Sequence, residues 1–137
     1  MKETAKCDSK LRVLIIEDSA ELRTLLTGML DEIPGVDLVG FAETENTALD
    51  MLAAEQPDIA IIDLELKSGN GLNVLARQAN SIMKSDGIKK LVFSNYANAV
   101  IRKRCSALGA TAFFDKSFQM DELLDLIELE AKLLANR

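Results

Sequence analysis

Apolar residues fall along this chain in two alternating kinds of run. Short unbroken blocks of strand length, Val13 to Ile16, Ile59 to Ile62, Leu91 to Phe93 and Ala112 to Phe114, are separated by stretches in which apolar residues recur every three or four positions. Unbroken blocks suit strands buried on both faces, and the intervening periodicity suits helices packed over them. The alternation predicts βα units around a parallel sheet, and five can be traced. After the first strand, Leu22, Leu25, Leu26, Met29, Leu30 and Ile33 line one helix face, with Ser19 placed to cap its start and Pro34-Gly35 to terminate it. Val36 to Phe41 reads as a second strand. Thr44 to Glu55 reads as a helix packed through Ala48, Leu49 and Leu52 and broken by Gln56-Pro57-Asp58. A glycine-rich turn, Lys67 to Gly71, leads into a third helix carrying Leu72, Val74, Leu75 and Ala79, and the loop from Lys84 to Lys89 is polar. A fourth helix carries Val100, Ile101 and Leu108 and closes at Gly109. The last begins near Met120-Asp121-Glu122, where early acids suit the helix dipole, and buries Leu123, Leu124, Ile127 and Leu134.

Length and composition narrow the picture. A chain of 137 residues, 48% hydrophobic, has the size of one domain with a substantial core. The expected organisation is a polar tail over 1–10 and a single domain over 11–137, with no output domain after the last helix. A net charge of −6 argues against nucleic acid as a direct partner, because a phosphate-tracking surface needs clustered basic residues. No apolar stretch reaches the roughly 20 residues needed to span a bilayer, and the polar start from Met1 to Arg12 lacks a signal-peptide core, so the expected location is the cytoplasm. Histidine is absent, and Cys7 and Cys105 have no metal-ligand spacing. Zinc sites and histidine general bases fall away.

The polar residues that end the apolar blocks carry the candidate chemistry: Glu17-Asp18, Asp63, Ser94 and Lys116. In an open α/β sheet the ligand crevice lies beyond the C-terminal strand ends, so these distant positions converge there. At about 4 Å two like charges repel by ~4 kcal/mol at an effective dielectric near 20, so three neighbouring carboxylates demand a cation. Hard oxygen donors suit Mg²⁺, which accepts one or two protein carboxylates and shares its other positions with water and phosphate. In this reading Glu17 and Asp18 hold the metal, Asp63 gives it one carboxylate oxygen, and the backbone carbonyl of Glu65 adds another ligand. A free oxygen of Asp63 then attacks phosphorus to give an aspartyl phosphate. Lys116 neutralises phosphoryl oxygens and the Ser94 hydroxyl donates to the attached group.

These motifs, LIIEDS (Leu14 to Ser19), IIDLEL (Ile61 to Leu66), SGNGL (Ser68 to Leu72), VFSN (Val92 to Asn95) and FFDKS (Phe113 to Ser117), resemble in order and spacing the receiver domain of two-component response regulators. The resemblance runs from Leu11 to about Leu134. It implies a flavodoxin-like (βα)5 fold: a three-layer sandwich with a five-stranded parallel sheet in the order 2-1-3-4-5. It implies that a sensor histidine kinase or a histidine phosphotransfer protein, supplied in trans, phosphorylates Asp63. It also places Ser94 and Phe113 at the hydroxyl and aromatic switch positions. The face made by the fourth helix, fifth strand and fifth helix is then the surface that a downstream target protein reads. Glu65 and Tyr96 resemble positions that tune phosphate lifetime, here by repelling or blocking water. Two residues depart from the usual pattern: Asn95 follows Ser94, where small residues are frequent, and Ser117 replaces a proline, which disfavours a cis bond after Lys116.

Taken singly, each of these residues has a plainer reading. A strand-end carboxylate such as Asp18 is commonly a helix cap, Ser94 a turn residue, Lys116 a surface charge and Phe113 a packing residue. Cys105 reads as a small buried side chain, and the acidic stretch Glu122 to Glu130 as a solvated helix face. Five coordinated matches outweigh these. Three functions follow: a single-domain phosphoacceptor switch; a Mg²⁺-dependent phosphotransferase or phosphatase with an aspartyl intermediate; or an interaction module that works without phosphorylation. The first is favoured, with no enzymatic turnover beyond phosphotransfer to and from itself.

Overall fold

The computed structural model describes residues 10–80, 87–96 and 98–136. In chain order the elements are β1 (Leu11–Ile16), α1 (Ala20–Asp31), β2 (Val36–Ala42), α2 (Glu45–Glu55), β3 (Ile59–Ile62), α3 (Gly71–Ala79), β4 (Lys89–Ser94), α4 (Ala99–Ala107), β5 (Ala112–Asp115) and α5 (Met120–Ala135). All strand pairs are parallel and the sheet order is β2-β1-β3-β4-β5, the flavodoxin-like arrangement expected of the sequence. The order reverses between β1 and β3, which opens a crevice at their C-terminal ends.

The unbroken apolar blocks have a direct cause. Side chains alternate between the two faces of a strand, and here both faces are covered. Val13, Ile15, Ile59, Ile61, Leu91 and Phe93 pack on one side with Leu26 and Leu30 of α1 and with Leu123, Ile127 and Ala131 of α5. Leu14, Ile16, Ala60, Ile62 and Val92 pack on the other side with Ala48 and Leu52 of α2, Val74 and Leu75 of α3, and Cys105 of α4. Burial pushes the Cys105 thiol up, as an inert core residue requires.

Helix ends follow their caps. Ser19, Thr44, Asn70 and Asn98 each accept a backbone N–H of the first turn of α1, α2, α3 and α4. Several expectations need adjusting. Thr44 is the cap of α2 and not its first residue, and β2 runs one residue further, to Ala42. Helix α1 stops at Asp31, so Ile33 lies beyond it, although it still packs on the core. Leu25 is 47% exposed because the buried stripe of α1 is narrow and centred on Leu26 and Leu30; Ala79 is likewise exposed, at the last turn of α3. The peptide bond from Lys116 to Ser117 is trans. Residues 1–9, Cys7 among them, and residues 84–86 of the expected polar loop lie outside the described residues. No helix among the described residues is long and apolar enough to cross a membrane.

Candidate functional site

Three strands deliver their last residues to one place. Glu17 follows β1, and its N–H bonds the Ala42 carbonyl of β2 at 2.9 Å. Asp63 follows β3, and its N–H bonds the Ile16 carbonyl of β1 at 2.9 Å. Lys116 follows β5, with its N–H on the Ser94 carbonyl of β4 at 3.0 Å. Sheet hydrogen bonding thus fixes the backbone under each functional side chain.

The side chains meet. The Lys116 ammonium lies 2.9 Å from Glu17 Oε1 and 3.1 Å from Asp63 Oδ2. Glu17 Oε2 accepts the Ser19 N–H at 3.0 Å, and Asp63 Oδ1 accepts the Glu65 N–H at 3.3 Å. Glu17 is only 2% exposed and Asp63 only 4%, whereas Asp18 is open to solvent. Carboxylate oxygens of Glu17, Asp18 and Asp63 all lie within 4.8 Å of one another. Burial is the largest influence on Glu17 and raises it to about 7; burial likewise raises Asp63 despite the nearby Lys116. Desolvation pulls Lys116 down, but its two carboxylate partners outweigh that and leave it raised. Lys116 pairs with two of the three carboxylates, Glu17 and Asp63, so the cluster keeps an excess of negative charge. An all-oxygen donor set with that excess is what a hard divalent cation fits.

Glycine is required beside this cluster. A Cβ on Gly71 would fall on the Asp63 carbonyl and the Leu64 Cα, so the first turn of α3 can approach the end of β3 only without a side chain. Gly69, at φ +77°, allows the loop after β3 to turn under Glu45.

The remaining positions surround the cluster. Ser94, fully buried, accepts the Tyr96 N–H on its hydroxyl oxygen at 3.1 Å, which leaves its proton free to donate. The Tyr96 hydroxyl donates to Glu65 Oε2, and that bond raises the Tyr96 phenol. The Phe113 ring is half-buried on the α4 side of the sheet, with the Arg102 guanidinium 4.6 Å from its centroid. Sequence reasoning overlooked Arg23, which donates to the Glu17 carbonyl at 2.9 Å, and Glu45, which ties the loop after β3 to α2. A lone arginine or glutamate near a helix start has no local signature that names its distant partner.

Residues 13–128 match the sequence profile of the response regulator receiver domain. The chain belongs to that family. Among relatives of this receiver domain is the protein-glutamate methylesterase/protein-glutamine glutaminase of Treponema pallidum (strain Nichols), 34% identical over 115 residues, which cover 82% of this chain and 28% of that protein. A counterpart from Methanospirillum hungatei JF-1 is 36% identical over 109 residues, covering 77% of this chain and 31% of the relative. The receiver domain therefore spans under a third of those proteins. Among solved structures, the response regulator domain of Thermotoga maritima CheB superposes with a TM-score of 0.74 at 25% identity, covering 93% of this chain and 98% of that one. The signal receiver domain of a DNA-binding response regulator from Colwellia psychrerythraea 34H shares the fold at a TM-score of 0.80 and 23% identity, over 90% of this chain and 99% of the other.

Proposed function

We propose that this receiver domain is a phosphoacceptor switch in which Asp63 takes a phosphoryl group from a phosphohistidine on a sensor kinase or phosphotransfer protein. The observation that carries the reading is the Lys116 ammonium held between Glu17 and Asp63 at the mouth of the sheet, in a cluster short of positive charge. An Asp63 carboxylate oxygen attacks phosphorus and forms the P–O bond. The P–N bond to the donor imidazole breaks, and the imidazole keeps the electron pair and takes up a proton. Lys116 balances charge on the phosphoryl oxygens, and the Ser94 hydroxyl donates to one of them. Glu17, Asp18, Asp63 and the Glu65 backbone carbonyl are the groups we assign to holding Mg²⁺, which when bound neutralises charge on the transferring group. Glu65 and Tyr96, joined by their hydrogen bond at the rim, limit the approach of water to the acyl phosphate.

Switching would start at Ser94 and Phe113 and be read on the α4-β5-α5 face by a downstream protein. Val100 of α4 and Phe118 before α5 expose apolar surface on this side of the molecule. The domain would control its partner by contact, with no turnover of an external substrate.

The test is intact-mass analysis after incubation with Mg²⁺ and phosphoramidate or acetyl phosphate. One phosphoryl increment is expected in wild type and none in Asp63→Asn. An increment that persists in the variant rejects Asp63 as acceptor. No increment in wild type, with partner binding unchanged by Asp63→Asn, favours a phosphorylation-independent module. Steady turnover of a small phosphorylated metabolite favours an enzyme.

A further inference from the structure

The carbonyl of Glu17 is held from outside the sheet. Arg23, in the first turn of α1, donates from Nη1 to that carbonyl at 2.9 Å and places Nη2 2.9 Å from Glu43 Oε2. Its guanidinium lies over Phe41, 4.3 Å from the ring centroid, and the side chain is only 13% exposed. Glu43 in turn faces the Lys67 ammonium at 3.5 Å and accepts the Lys67 N–H on its carbonyl at 3.0 Å. A single guanidinium thus ties the turn after β1 to the end of β2 and, through Glu43, to the loop after β3.

Those connections bear on the acidic cluster. The Glu17 peptide is pinned on both sides, its N–H on Ala42 and its C=O on Arg23. Glu17, Asp18 and Asp63 repel one another, and an outward swing of the Glu17-Asp18 turn would relieve that repulsion. A planar fork with five N–H donors can hold a carbonyl and a carboxylate at once while stacking on an aromatic ring; an ammonium cannot.

The geometry points to Arg23 as a positioning residue for divalent-cation binding: it fixes the Glu17-Asp18 backbone so that the three carboxylates stay convergent. This rests on the Mg²⁺ assignment above and adds a residue that touches neither the metal nor the phosphoryl group. Outer partners of metal-ligating groups commonly alter affinity by 10–100-fold. The sign of the effect separates positioning from simple charge. Removing a cation near an acidic site should tighten Mg²⁺ if electrostatics alone acted, whereas loss of positioning should weaken it.

The experiment is a Mg²⁺ titration of the intact chain followed by backbone amide chemical shifts, with the unfolding midpoint measured separately in EDTA. Arg23→Met and Arg23→Lys are both expected to raise the Mg²⁺ dissociation constant, by roughly tenfold for Arg23→Met. Arg12→Met removes the same charge from an ion pair with Glu55 at the opposite end of β1, and should leave the constant unchanged. A lower EDTA midpoint for Arg23→Met with unchanged or tighter Mg²⁺ binding overturns the proposal and leaves Arg23 as helix-to-sheet glue. If Arg23→Met does not fold, Arg23→Lys decides alone by the same criterion. Absence of saturable Mg²⁺ binding in wild type overturns the metal assignment itself, a result distinct from an unaltered variant.

Discussion

Lys116 and Asp63 make opposite contributions to the stability of the metal-free domain. Glu17 and Asp63 are almost fully buried, and burial raises both, so each carboxylate charge is held there against its desolvation cost. Lys116 offsets that cost through contacts at 2.9 and 3.1 Å. Replacing it with Met strips both carboxylates of their cation, and breaking a buried pair from one side costs about 3 kcal/mol. Asp63→Asn removes a repelling charge, keeps the shape and leaves Lys116 paired with Glu17 at 2.9 Å. In EDTA, urea denaturation should therefore find Lys116→Met less stable than wild type and Asp63→Asn more stable. Added Mg²⁺ should recover much of the Lys116→Met loss and do little for Asp63→Asn. If Asp63→Asn is the less stable of the two in EDTA, the carboxylates are not the strained partners.

Loops and helices show where sequence reasoning works and where it stops. Strand blocks were readable because both sheet faces are covered, which turns each strand into a continuous apolar word; of the four side-chain caps only Ser19 was legible as one, while Thr44 reads from the sequence as the first residue of its helix and Asn70 as part of a turn. Strand-end placement also foretold that Glu17, Asp63 and Lys116 would meet. Contacts that close the site from the side were not readable, because they depend on how two loops distant in sequence lie together. Glu45 is the clearest case. Its Oε1 accepts the Asn70 N–H at 3.3 Å and Asn73 Nδ2 at 3.1 Å, and its Oε2 meets Arg77 at 3.2 Å. The Asn73 hydrogen bond, above all, holds this carboxyl below the usual range. A carboxyl depressed in the folded state stabilises above its unfolded pKa near 4.3 and loses that contribution as pH falls through the folded value. Glu45→Gln should cost about 1 kcal/mol at neutral pH, with the gap from wild type closing in acid. Urea denaturation of both proteins across that range checks it, and a gap that stays constant or widens in acid excludes the carboxylate as the clamp.

The sheet divides the molecule into two packed halves, and that division predicts how a signal would travel. Phe113 packs in the half containing Cys105 and Ile101 of α4, whereas its neighbour Phe114 packs in the half containing α1 and α5. Ser94 ends β4, and its oxygen holds the Tyr96 N–H at the entrance to α4. Arg102 of α4 covers the Phe113 ring and also reaches Gln119, whose side chain accepts the Asp115 N–H at the start of the loop into α5. Drawing the Ser94 hydroxyl toward a phosphoryl group on Asp63 would therefore disturb the β4-α4 loop, α4 and the β5-α5 loop as a unit, and leave α1 and α2 in place. Amide hydrogen exchange in the presence of Mg²⁺, compared with and without phosphoramidate, should change across residues 94–108 and 112–119 and stay flat across α1 and α2. In Ser94→Ala the phosphoryl mass increment should persist while those distant changes shrink, because the acceptor remains and the hydroxyl that couples it to α4 is gone. Exchange changes that survive undiminished in Ser94→Ala would place the coupling elsewhere and leave the Arg102 contact on Phe113 as packing alone.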